Sequence, residues 1–77
     1  MNPKINASAL KQMHGKHSDE IVSLRLRIFT PLTGAEISLV TSWGGKLLYD
    51  NGMMALLNLP VRKVNDIAEW ETVLEII

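Results

Sequence analysis

Residues 21–29 read IVSLRLRIF, and no other stretch constrains the fold as tightly. Val22, Leu24, Leu26 and Ile28 alternate with Ser23, Arg25 and Arg27. A period of two puts the aliphatic set on one face of a strand and the polar set on the other. A chain built around such a strand needs a sheet with one face in a core. Arg25 and Arg27 then stand on the other face, where they either keep the strand solvated or form a working surface.

The residues that follow suggest how the sheet continues. TPLTG, with Pro31 and Gly34, is turn chemistry. AEISLVTSW then places Ala35, Ile37, Leu39, Thr41 and Trp43 on one face. A hairpin with Ile28 opposite Ala35 aligns the apolar sets of both strands and sets Arg27 against Glu36. Gly44-Gly45 reads as a two-residue hairpin turn into KLLYD. The expected fold is α+β: an antiparallel meander of 22–29, 36–43 and 46–50, packed by two or three short helices. TGAE at 33–36 supports a competing reading of 33–43, because Thr33 and Glu36 have the spacing of a helix capping box and Gly44-Gly45 can end a helix.

The helices are expected near 53–59 and 67–77. MMALLNL is apolar nearly all round and stops at Pro60. Asp66 and Glu69 have capping-box spacing, and Ile67, Trp70, Val73, Leu74 and Ile77 make a helical stripe. A further short helix fits Asn6–His14, ended by Gly15, although residues 1–18 also read as a flexible arm. The whole, residues 1–77, is one small domain.

Composition enters where stability is at issue. A domain of this size buries only about 60% of the surface its unfolded chain exposes. Without cysteine it has no disulfide or thiolate–metal staple. Hydrophobic residues make up 47% of the 77, more than one small core absorbs easily. Self-association, most simply as a homodimer, is the expected outlet. Eight basic and eight acidic residues balance, which speaks against a protein that grips nucleic acid by charge alone. The charge is segregated, however. Residues 1–49 hold six bases and three acids, and residues 50–77 hold two bases and five acids. No apolar run approaches the roughly 20 residues of a membrane span, and the expected setting is cytoplasmic.

No residue set announces catalysis, and the chain reads as a non-enzyme without metal, cofactor or small-molecule substrate. His14 and His17 lie three apart but have no fixed third ligand. Glu71 and Glu75 read as a solvated helix face. Gly44-Gly45-Lys46 lacks the spacing of a phosphate loop. The expected function is a small regulatory module that binds a protein partner, with Arg25, Arg27, Leu47, Tyr49, Met53 and Met54 as contact residues. Many regulators encoded by phages and plasmids have this size and composition. The alternative is a DNA-binding regulator of ribbon-helix-helix type, with Arg25 and Arg27 on a two-stranded dimer ribbon in the major groove.

Overall fold

The computed structural model describes residues 2–77; Met1, at the start of the expected N-terminal arm, lies outside them. Helix α1 (Ala7–Met13) precedes strand β1 (Ile21–Ile28). Helix α2 (Gly34–Ser42), strand β2 (Lys46–Asp50) and strand β3 (Met54–Pro60) follow. A 3-10 turn (Val61–Lys63) leads into helix α3 (Val64–Ala68), and strand β4 (Val73–Ile76) comes last. The class is α+β. The sheet has four strands in the order β2-β3-β1-β4, with every neighbouring pair antiparallel. Two β-α-β units are therefore interleaved, because β1 and β2 run parallel with β3 between them, and β3 and β4 run parallel with β1 between them. This is the split β-α-β, or ferredoxin-like, topology. Topology of this kind carries no function by itself.

β1 behaves as its alternation requires. Val22, Leu24, Leu26 and Ile28 are buried, and the residues between them are exposed. β2 matches the expected 46–50, and α1 matches the expected N-terminal helix. Asn6 caps α1 by accepting the Ser8 N–H, and Ala9 is fully buried. The N-terminal segment is thus docked. Ile5 bridges Ile76 in parallel, with the Asn6 N–H donating to the Ile76 carbonyl and the Ile76 N–H donating to the Lys4 carbonyl, both at 2.8 Å. These bonds cover the outer edge of β4.

Three expectations need correction. Residues 36–43 are not a strand. The capping box is real: the Glu36 N–H donates to Thr33 Oγ1 at 3.2 Å, and the Thr33 N–H donates to Glu36 Oε1 at 2.8 Å. Gly44 and Gly45 end α2 instead of turning a hairpin. The Gly44 N–H donates to the Thr41 carbonyl, the Gly45 N–H to the Val40 carbonyl, and Gly44 takes a φ of +89°, the Schellman arrangement. Glu36 is consequently remote from the expected strand register, and the partner of Arg27 is Glu75, at 3.2 Å.

The second correction concerns 53–59, which are not a helix: Met53 lies in a turn and the rest belong to β3. β3 is the central partner of β1, in register from Ile21↔Pro60 to Arg27↔Met54. The third concerns 67–77. α3 is only five residues long and has no side-chain cap. The chain then turns at Trp70–Thr72 and returns as β4. A bulge between the Arg27↔Glu75 and Ile28↔Val73 pairs separates the buried Val73 and Ile76 by three positions, a spacing that imitates a helix.

The core lies between one face of the sheet and the helices. Val40 of α2 and Val64, Ile67 and Ala68 of α3 pack in one cluster with Leu24, Leu26, Leu57 and Leu59. Trp43 and Trp70 flank it with ring centroids 6.1 Å apart, and Lys63 Nζ sits 5.0 Å from the Trp43 ring.

Candidate functional site

Helices α2 and α3 cover one face of the sheet. Pairing alone fixes what stands on the other. Lys46, Asn58 and Ser23 form one cross-strand row, and the Ser23 hydroxyl donates to Asn58 Oδ1 at 2.6 Å. Tyr49, Leu56 and Arg25 form the next, extended by Ile77, whose N–H donates to the Arg25 carbonyl at 2.7 Å. Met54, Arg27 and Glu75 form the third. Leu48 occupies a bulge in β2 and is 51% exposed, as is Tyr49. An antiparallel sheet with one solvated face normally makes that face polar. This one carries Ile21, Leu48, Tyr49, Met54, Leu56 and Ile77.

Its electrostatics are lopsided. Among the described residues, three cationic side chains, Arg25, Arg27 and Lys46, share the face with one acidic side chain, Glu75. That carboxylate is fully engaged: Asn6 Nδ2 donates to Oε2 at 3.0 Å and Arg27 Nε donates to Oε1 at 3.2 Å. These bonds, the Asn6 bond foremost and then Arg27, hold the Glu75 carboxyl below the usual glutamate range against an opposing push from desolvation. Among the described residues, neither the Arg25 guanidinium nor the Lys46 ammonium has an ion-pair partner.

The face also has relief. Ser8 and Gln12 of α1 form one wall of a cleft of about 310 Å³, whose remaining lining includes Arg25, Leu48, Leu56 and Ile77. Arg25 therefore lines a concave, largely aliphatic cleft together with Ser8 and Gln12.

Of the residues singled out from sequence, Arg25, Arg27, Tyr49 and Met54 are brought together on this face. Leu47 is not. It pairs with Leu57 and is half-buried against the core, because the side of β2 on which it stands faces the helices. Met53 lies in the turn before β3 and is 73% exposed, while its carbonyl accepts the Ile28 N–H. Sequence reasoning missed Lys46, Leu48, Ile77, Ser8 and Gln12, and left Leu56 undecided between core and interface. The signal for Leu56 was present: MALLNLP is apolar at both strand parities, as a strand with two occupied faces must be.

The other candidates stay dispersed. His14 and His17 are exposed, and the described residues contain no group of three or more histidine, aspartate or glutamate side chains placed to hold a metal ion. Glu71 lies in the turn before β4 and Glu75 on the strand, so they are not helical neighbours. β1 pairs with β3 over Ile21–Arg27 and with β4 over Leu26–Ile28, so its first half, Ile21–Leu24, has a strand neighbour on one side alone. No described helix is long and apolar enough to cross a membrane. Comparisons with protein-family models, with curated proteins and with solved structures returned no match.

Proposed function

We propose that this chain is a small non-enzymatic binding module whose protein partner lies on the uncovered sheet face and brings acidic side chains to it. One observation carries the reading. The face combines apolar side chains with a surplus of cations, two of which have no ion-pair partner among the described residues. Apolar area supplies affinity, and unpaired charge selects the partner.

The same arrangement ranks the alternatives. Sheet faces that read single-stranded RNA do so by stacking bases on aromatic side chains. Here the central strands β1 and β3 offer Ile21, Ser23, Arg25, Arg27, Met54, Leu56 and Asn58; within the strands the one aromatic, Tyr49, is on the edge, and Phe29 is exposed just after β1. Nucleic-acid affinity also rests on many phosphate contacts, and this face has few cations to give. A homodimer through this face would set two cation surpluses against each other, because a two-fold interface presents the same patch from both sides. Charge therefore favours a different, acidic protein over a second copy.

The test is a display selection of random peptides against the whole chain, counter-selected on the Leu56→Lys variant. The expected harvest is peptides that combine Asp or Glu with aliphatic residues and lose binding to the variant. Peptides without acidic residues, or equal binding to both proteins, would contradict the reading.

A further inference from the structure

The cleft beside Arg25 is more specific than the face around it. We infer that it is an acid-reading pocket: it receives the carboxylate of a partner's Asp or Glu side chain on Arg25, with the aliphatic neighbours of that residue lying on Leu48, Leu56 and Ile77. The inference rests on the protein-binding reading above and names the chemistry of its anchor point.

Four observations converge on it. Among the described residues, Arg25 is the only residue with a cationic side chain in the cleft lining, and no Asp or Glu side chain lines the cleft beside it. Guanidinium is the cation best shaped to hold a carboxylate by two parallel hydrogen bonds. Ser8 and Gln12 face the space from α1 and supply further donors. Ser23, the remaining polar side chain, is already bonded to Asn58 and so favours no competing ligand. The neighbouring Arg27 makes a useful contrast. It lies one strand position pair away on the same face, yet Glu75 already occupies it. The two arginines thus have different roles: Arg27 is tied into the fold, and Arg25 is left for a ligand. A space of this volume suits one side chain and its flanks and falls at the small end of ligand pockets.

The test uses the full chain, isotope-labelled, with defined probes followed by amide and arginine Nε–H NMR signals at low salt. Acetyl-Leu-Glu-Leu-amide is expected to shift the Arg25 Nε–H and the amides of Ser8, Gln12, Ser23 and Leu56 along one saturable curve. Acetyl-Leu-Gln-Leu-amide should bind about tenfold or more weakly, because a hydrogen bond to a charged group contributes more than one to a neutral amide. Arg25→Gln should erase that difference while the rest of the spectrum stays folded; Arg27→Gln should leave it in place. Equal binding of the two peptides, or shifts elsewhere on the molecule, overturns the assignment. Hexanoate is the third probe. If it binds at the cleft and the Glu peptide does not, the cleft reads a small acid, and the protein-binding reading fails while carboxylate recognition stands. If the display selection yields acidic peptides whose Glu→Gln versions bind equally well, the reverse holds.

Discussion

Gly44 and Gly45 are adjacent glycines with different reasons to be glycine. Gly44 needs its left-handed backbone, at φ +89°, to close α2, and a Cβ there would meet open space. Gly45 has an ordinary backbone, but a Cβ would run into the Asn58 carbonyl oxygen and crowd Val40. The obstacle is backbone and cannot swing aside. Gly44→Ala should cost about 1–2 kcal/mol, the strain of one left-handed residue. Gly45→Ala should cost about 3 kcal/mol or more, the upper end of overpacking. Urea unfolding of both variants, compared at equal m, checks the order. Glu75 makes a pH prediction. Its carboxyl is held below the usual range, first by Asn6 and then by Arg27. A lowered folded-state pKa means stability that is present above the unfolded glutamate pKa, about 4.3. That stability is lost as pH falls through the lowered value. Glu75→Gln should therefore flatten the acid limb of the stability profile. A carboxyl carbon signal of Glu75 that titrates in or above the ordinary range would contradict the assignment.

At the scale of elements, α2 tests how much a cap contributes. Its apolar side is thin: only Val40 is fully buried, with Ile37 and Trp43 partly so. The box formed by Thr33 and Glu36 is therefore a large share of what starts the helix. Thr33→Ala should lower stability by about 1 kcal/mol in denaturant unfolding, and no change would mean the cap is idle. The same thinness explains why these residues read as a strand. Ile37, Val40 and Thr41 are middling helix formers, Leu39 is exposed, and no strong helical stripe remains to be seen. The capping box is the correct signal, and middling helix propensity masks it. β3 was obscured in the opposite way. Ala55, Leu57 and Leu59 fill the core, while Met54 and Leu56 sit half-buried on the open face. Period two vanished because both parities are apolar. The feature that hid the strand is the feature that marks the candidate site. β4 was masked by its bulge, which turned strand spacing into helical spacing. β1, by contrast, was legible because its two faces differ in kind, and it correctly placed Arg25 and Arg27 outside the core.

For the whole molecule, neutral net charge conceals a sheet face with three cations and one carboxylate. Two consequences follow for solution behaviour. Sedimentation should report a monomer at micromolar concentration, because the uncovered sheet face repels its own copy; a stable dimer abolished by Leu56→Lys would contradict that. A labelled generic DNA duplex should show no binding at low salt, whereas binding that weakens steeply towards about 200 mM would signal phosphate contacts and revive the nucleic-acid reading. The central claim is that an acidic partner is read at Arg25, and a charge swap tests it most directly. The affinity of an acidic, aliphatic peptide recovered by the selection would be measured by fluorescence anisotropy against the chain and against Arg25→Glu. The account predicts that the reversal weakens binding at least about tenfold, roughly 1.4 kcal/mol. It also predicts that changing the peptide's acid to Lys restores part of that loss on the variant alone. Unchanged binding after the reversal, or no recovery with the swapped peptide, would contradict it.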